Sequence, residues 1–318
     1  PTKMIFDTIT KSLLGVLMCV GAASCFTGVE STPRIDASTV REQRAADPVA
    51  EASYLADIKP EAPAKWRVGK RFHVVDDRIS LIFGPPSDPT DKLVGHDIIY
   101  LGTDGATSLT GNDASVMRFA DEHGGKYYYR INNYGRERLD TVSALEVPFT
   151  VDLELVSAVN TKMQGQHFYV RTPSWYSADS ALTPLSGLRH VRIIVDSVVA
   201  GTADFPAAVC FHQASGNDKK YVLLMSVGKG RGATRTFDSL FAFDNPRNRY
   251  PEIKDDVWEL ITRSRVREGM TRDECRLALG QPSDILRIPT YGGMQERWTY
   301  TDGIYLIFDD GFLTKYRR

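Results

Sequence analysis

Gly69-Lys70-Arg71-Phe72-His73-Val74 returns later in the chain as Gly165-Gln166-His167-Phe168-Tyr169-Val170. In both copies a glycine leads into large apolar residues alternating with polar ones, the pattern of a half-buried strand entered from a turn. Two further anchors follow in the same order. Leu93-Val94-Gly95 recurs as Leu185-Ser186-Gly187. Val116-Met117-Arg118-Phe119, followed by Gly124 and Tyr128, recurs as Ala208-Val209-Cys210-Phe211, followed by Gly216 and Tyr221. The spacing predicts a duplicated β-rich region, one copy over residues 66–146 and the second over 147–244. Each copy is too short for a large sandwich and suits a small barrel. In the first copy, residues 115–120 and 126–131 read as a hairpin, with Gly124 and Gly125 supplying the positive φ of its connection. A single sandwich built from both halves is the alternative.

The composition suits this β-rich reading. The chain has 318 residues, 42% of them hydrophobic, enough to build cores throughout. Lys and Arg number 39 against 40 Asp and Glu, a net charge of −1, which argues against a nucleic-acid binder relying on a basic field, although a local patch would survive it. Within residues 4–25, Lys11 precedes a mostly apolar run, residues 12–24, too short for a membrane span, which needs about 20 residues. Ala22-Ala23-Ser24 then stand directly before Cys25. Residues 26–65 are rich in Ser, Thr, Pro, Ala and charged residues, and are expected to be a flexible tether.

After a boundary at Asn245-Pro246 the pattern changes. Ile253, Val257, Leu260 and Ile261 fall on one face of a helix. Thr271 and Glu274 have the spacing of a capping box for a second helix, ending at Leu279-Gly280 with Pro282 beyond. Residues 285–288, 295–300, 304–308 and 312–316 then read as four short strands. Tyr291-Gly292-Gly293, Asp302-Gly303 and Asp309-Asp310-Gly311 make the turns between them. Residues 245–318 are therefore an α+β layer pair of two helices and an antiparallel meander.

Three resemblances give these segments meaning. The small residues before Cys25 resemble a bacterial lipobox, which implies a cleaved signal over residues 1–25 and a lipid anchor on the Cys25 sulfur. The alternating runs of residues 66–244 resemble bacterial SH3-like barrels. Gly269-Met270-Thr271, Glu274, Leu279-Gly280-Gln281-Pro282, Glu296-Arg297-Trp298, Tyr300 and Phe308-Asp309-Asp310-Gly311 resemble the SmpA/OmlA (BamE-like) lipoprotein domain. That family implies a small helix–sheet fold, an outer-membrane setting and a tendency to bind proteins, with no catalytic residues to carry over. The expected fold class is thus mainly β plus α+β: two tandem small SH3-like β-barrels followed by a BamE-like two-helix/antiparallel-sheet module.

No catalytic, cofactor or metal site emerges from the residues. All six histidines lie in the β region, at positions 73, 96, 123, 167, 190 and 212, without short metal-ligand spacing. Cys210 and His212 are two apart on a predicted strand, a weak pair. Gly228-Lys229-Gly230-Arg231-Gly232 lacks the Lys-Ser/Thr of a phosphate loop. If Cys19 and Cys25 are spent at the N-terminus, Cys210 and Cys275 remain and read as small buried side chains. The functional expectation is a non-enzymatic, lipid-anchored envelope protein, periplasm-facing on the outer membrane. It binds other envelope proteins and takes part in outer-membrane assembly or maintenance. The second expectation is a glycan- or peptidoglycan-binding lipoprotein. Tyr128 and Trp175 are the candidate partner or glycan contacts.

Overall fold

The two glycine-led strands are built by the same backbone hydrogen bonds. In the first copy the Gly69 N–H donates to Tyr100 O and the Tyr100 N–H to Lys70 O; in the second, the Gly165 N–H donates to Val195 O and the Val195 N–H to Gln166 O. At the far end of each strand the chain turns back. The Gly95 N–H donates to Val74 O and the Val74 N–H to His96 O, matched by His190 to Val170 and Val170 to Val191. Gly95 (φ 83°) and His190 (φ 58°) are both left-handed there. The structural counterpart of Gly95 is therefore His190. The expected match to Gly187 is displaced, because the second copy carries extra strands before this corner.

The structure, a computed structural model, describes residues 48–107, 113–132, 135–179, 181–216, 219–228, 233–291 and 293–317. The first sheet contains β1 (Arg71–Val74), β2 (Asp97–Thr107), β3 (Asp113–Asp121), β4 (Lys126–Asn132) and β5 (Thr150–Asp152), in the order β4-β3-β2-β1-β5. The second contains β6 (His167–Val170), β7 (Ser174–Ser177), β8 (Pro184–Ser186), β9 (Arg192–Ala200), β10 (Ala207–Gln213), β11 (Lys220–Met225) and β12 (Phe241–Ala242). Its order is β12-β6-β9-β10-β11-β7-β8. With β7 and β8 set aside, the two orders are the same. In each, a four-strand antiparallel meander is completed by a last strand that returns beside the first. Each also bends through a register shift, at Tyr100/Gly102 and at Cys210/Phe211. Phe119 faces Tyr127, and Phe211 faces Tyr221, so the counterpart of Tyr221 is Tyr127 and not Tyr128.

The expected closed barrels are not what forms. The fold is mainly β, made of three antiparallel sheets among the described residues, and none of them closes on itself. In the first lobe the β1–β2 connection crosses to β4 and covers its edge. There Phe83 bridges Tyr129, while the side chains of Ser87 and Asp88 accept the N–H groups of Tyr128 and Lys126. In the second lobe the corresponding connection carries β7, which pairs with β11. A connection thus satisfies the edge that barrel closure would otherwise have satisfied.

Three further expectations change. The segment 26–65 is not a tether throughout. Residues 26–47 lie outside the described residues, but α1 (Pro48–Ser53) and the turn after it lie on the second lobe. Leu55 and Ile58 join that lobe's core, and the Glu51 carboxylate accepts Arg171 Nη2 at 2.5 Å and the Phe243 N–H at 3.1 Å. Few apolar residues suffice because they recur a turn apart and one buried acid is fully partnered. The boundary at 146/147 also moves. A short helix, α2 (Arg136–Asp140), precedes β5, which still belongs to the first sheet. The helix α3 (Leu153–Met163), capped by Asp152, then links the lobes and packs Leu155, Val156, Val159 and Met163 into the second core. Finally, Trp175 is not a surface contact. It is 2% exposed, lies edge-on to Phe211, and its Nε1 donates to Thr172 O. Gly187 passes directly over its ring, so close that a Cβ would sit 2.0 Å from a ring carbon.

In the C-terminal module, the helices α5 (Asp255–Thr262) and α6 (Arg272–Leu279) cover one face of the sheet β13 (Asp284–Thr290), β14 (Gly293–Thr299), β15 (Tyr305–Asp309) and β16 (Phe312–Arg317). The expected capping box is present. Thr271 Oγ1 accepts the Glu274 N–H, and Glu274 Oε2 accepts the Thr271 N–H. Another short helix, α4 (Phe237–Leu240), precedes β12 in the second lobe, as α2 precedes β5 in the first.

Truncating Trp175 to Ala should cost ~3–5 kcal/mol, the range of a fully buried aromatic, read as a lowered urea midpoint. Gly187→Ala should also destabilise, because the new methyl must displace the indole.

Candidate protein-binding face of the C-terminal module

The motif that carries the family resemblance is an internal brace. Glu296 is 6% exposed and its carboxylate accepts Trp298 Nε1 at 3.0 Å and Arg287 Nε at 3.1 Å, with Arg272 Nε at 3.2 Å. Burial alone would raise this carboxyl, but those hydrogen bonds and the two guanidinium charges outweigh it and hold it below the usual range. Arg276 stacks over the Trp298 ring, and Tyr300 Oη donates to Gly280 O at 3.3 Å, tying the helix end to β14. Trp298, Leu306, Phe308 and Leu313 face inward against Val257, Ile261, Cys275 and Ala278. These residues build the module, so the chemistry open to a partner lies elsewhere.

It lies on the other face of the same sheet. The strand register sets three rows across the four strands: Asp284–Thr299–Tyr305–Arg317, Leu286–Arg297–Ile307–Lys315, and Ile288–Gln295–Asp309–Phe312. Side chains alternate across a sheet, so all twelve point away from the helices. Leu286 (43%), Ile288 (38%) and Phe312 (54%) are exposed, and Tyr291 stands free at the β13–β14 turn. Arg297, Lys315 and Arg317 are exposed too, and among the described residues none of the three makes an ion pair. The β16 edge is occupied, because Leu313 exchanges hydrogen bonds with Gly269 and Met270. Among the described residues no strand pairs with the β13 edge.

The module is held to the second lobe by the corner that sequence comparison misplaced. The Arg189 N–H donates to Thr262 O at 2.8 Å, and its guanidinium donates to Ser264 Oγ, Arg171 O and Leu279 O. His190 Nε2 donates to Leu277 O at 3.1 Å, and its ring lies against Trp258. Two side chains thus serve carbonyls in the last turn of α6, where a helix leaves its acceptors unpaired. Burial, aided by the charges of Arg189 and Arg171 and opposed by the Leu277 hydrogen bond, depresses His190 to about 4. Burial likewise lowers Arg189 to about 10.

The other sequence candidates fall elsewhere. Cys25 lies outside the described residues. Tyr128 is half-buried on the edge strand β4, its N–H bonded to Ser87 Oγ. With Trp175 in the core, the glycan expectation loses one of its two named contacts. Cys275 is buried in the module core and its thiol is pushed up to about 12; Cys210 is half-buried, its thiol raised by burial as well. Both are unpaired, Cys210 on a strand of the second lobe and Cys275 on a helix of the C-terminal module, in different cores. His212 Nδ1 bonds Asp196 and His73 Nδ1 bonds Asp97; among the described residues no three His, Cys, Asp or Glu side chains are gathered for a metal. A cavity of about 330 Å³ between the lobes holds Arg78, Asp152 and Phe149, but Arg78 is clamped by Asp76 and Asp152 by Lys70. The exposed face was missed from the sequence because it depends on which alternate residues of each strand the helices leave uncovered. No helix among the described residues is long and apolar enough to cross a membrane. No protein-family model, curated protein or solved structure matches the chain.

His190 binds a proton in the unfolded chain below about 6.5 but in the folded one only near 4. Stability should therefore be full above that range and fall as pH drops from about 6.5 to about 4. The melting temperature against pH checks this, and His190→Asn, which tolerates the left-handed corner, should flatten that part of the curve. Thr271→Ala should separately cost about 1 kcal/mol by removing the α6 cap.

Proposed function

We propose that this chain is a non-enzymatic, lipid-anchored cell-envelope protein whose C-terminal module binds other proteins. The observation that carries the reading is the outer face of the β13–β16 sheet. It sets exposed Leu286, Ile288 and Phe312 among unpaired basic side chains, on a sheet whose opposite face carries the module's core. Solvent gains nothing from such a surface, and a rigid four-strand platform presents it without an ordering cost on binding.

Several features support the wider setting. The capping box, the Glu296–Trp298 brace and the Tyr300–Gly280 bond give structural roles to the residues that resemble the BamE-like family. The order of each lobe, a meander whose final strand returns beside the first, is that of SH3-like domains. This supports reading residues 66–244 as a tandem of open SH3-like units. The small residues before Cys25 support an acyl anchor there, and hence a place on the outer membrane facing the periplasm. The anchor would confine the protein near envelope partners and raise its effective concentration. Assembly or maintenance of the outer membrane is the process such a tethered binder would serve.

Labelling cells with a palmitate analogue should mark the wild-type chain and leave Cys25→Ser unmarked. Pull-down from solubilised envelopes should recover a stoichiometric partner that the Leu286→Glu/Ile288→Glu variant loses. An unlabelled wild-type chain, or recovery of the chain alone, would overturn the proposal.

A further inference from the structure

The middle row of the open face, Leu286–Arg297–Ile307–Lys315, alternates apolar and basic from one strand to the next. Adjacent strands are about 4.8 Å apart, so the row presents an apolar and a basic site in turn at that interval. No such alternation runs along a strand: β14 offers Thr299, Arg297, Gln295 and β15 offers Tyr305, Ile307, Asp309. A ligand matching the row must lie across the strands and change character every 5 Å or so. A helix does this, since it advances about 5.4 Å per turn and residues three or four apart share one face.

The charges fix the sign. Arg297, Lys315 and Arg317 are exposed and make no ion pair among the described residues, whereas Asp309 is already engaged by Gln295 and Thr314. Asp284 sits at the opposite corner from Arg317 in its row, so the basic end and the acidic corner differ across the sheet. An added strand at the β13 edge fits less well. Thr290 and Gly293 are paired, which turns Pro289 toward the free edge, and proline has no N–H to offer an incoming strand. We infer that this face receives an acidic amphipathic helix of a partner protein, laid across the four strands with leucine-like and carboxylate side chains alternating one turn apart. The inference rests on the protein-binding reading above and names the partner's chemistry.

The contact would place two apolar side chains over Leu286 and Ile307 and two carboxylates against Arg297 and Lys315. Exposed ion pairs of this kind contribute modestly to affinity and more to orientation and rate, so binding should weaken with salt.

The test uses the purified full chain and fluorescein-labelled helical peptides of Leu, Ala and Glu, with Leu and Glu alternating a turn apart, read by fluorescence anisotropy. A peptide with Lys in place of Glu, and vesicles of phosphatidylglycerol, are the comparison arms. The Glu peptide should bind at least tenfold more tightly than the Lys peptide. Arg297→Glu/Lys315→Glu, both surface changes, should reverse that preference while leaving the melting temperature near that of the wild type. Salt should weaken the wild-type interaction. Equal binding of the two peptides, a preference unchanged in the double variant, or binding to the vesicles alone would overturn the inference. If the pull-down still yields a partner while the Glu peptide is ignored, the helix assignment fails and the protein-binding reading survives. A chain that retains no envelope partner removes both.

Discussion

A reciprocal pair of backbone hydrogen bonds at the end of each lobe's first strand governs the architecture. Val74 with Gly95 and His96, and Val170 with His190 and Val191, force the chain into a left-handed corner before the second strand begins. That corner places the second strand beside the first and leaves the first strand's other edge for β5 or β12. Everything else in a lobe, including the crossing connection that covers the far edge, is laid over this arrangement. The cost of a left-handed conformation falls on glycine lightly and on other residues more heavily. The presence of histidine at one of the two corners therefore calls for a return elsewhere.

That return is the docking of the C-terminal module. His190 and Arg189 emerge from the corner and meet the final carbonyls of α6, while Trp258 closes over the imidazole. The first lobe's equivalent corner has Val94, Gly95 and His96 and carries no such attachment; Val94 is largely solvent-exposed. The two lobes share one strand order, and only the second carries at this corner side chains that grip a helix end. The module is then oriented with α5 and α6 inward to its own sheet and with the opposite sheet face bare.

Charge is used in two distinct ways. Three buried or nearly buried ions are matched by opposite charges: Glu51 by Arg171, Lys70 by Asp152 and Glu154, Glu296 by Arg272 and Arg287, whereas buried Arg189 is held by two carbonyls and the Ser264 hydroxyl. Each joins segments far apart in sequence, and removing one partner would strand the other away from water. The cations of the open face are treated oppositely, left exposed beside apolar side chains.

The sequence by itself determined what local physics controls. The Thr271–Glu274 cap, the four strands and turns of the C-terminal meander, the β3–β4 hairpin and the repeated glycine-led strand are each set by residues close together, through capping, period-two alternation and turn chemistry. Tertiary structure decided the rest. Trp175 reads as a surface aromatic until Gly187 is seen passing over it. Residues 48–65 read as a tether until Glu51 meets Arg171 across 120 positions. Barrel closure gave way to an edge capped by a crossing loop, and the counterpart of Gly95 shifted to His190 because inserted strands broke the spacing. The basic and apolar row of the open face exists only once four strands take their register and the helices settle on the other face, because that choice decides which alternate residues stay uncovered.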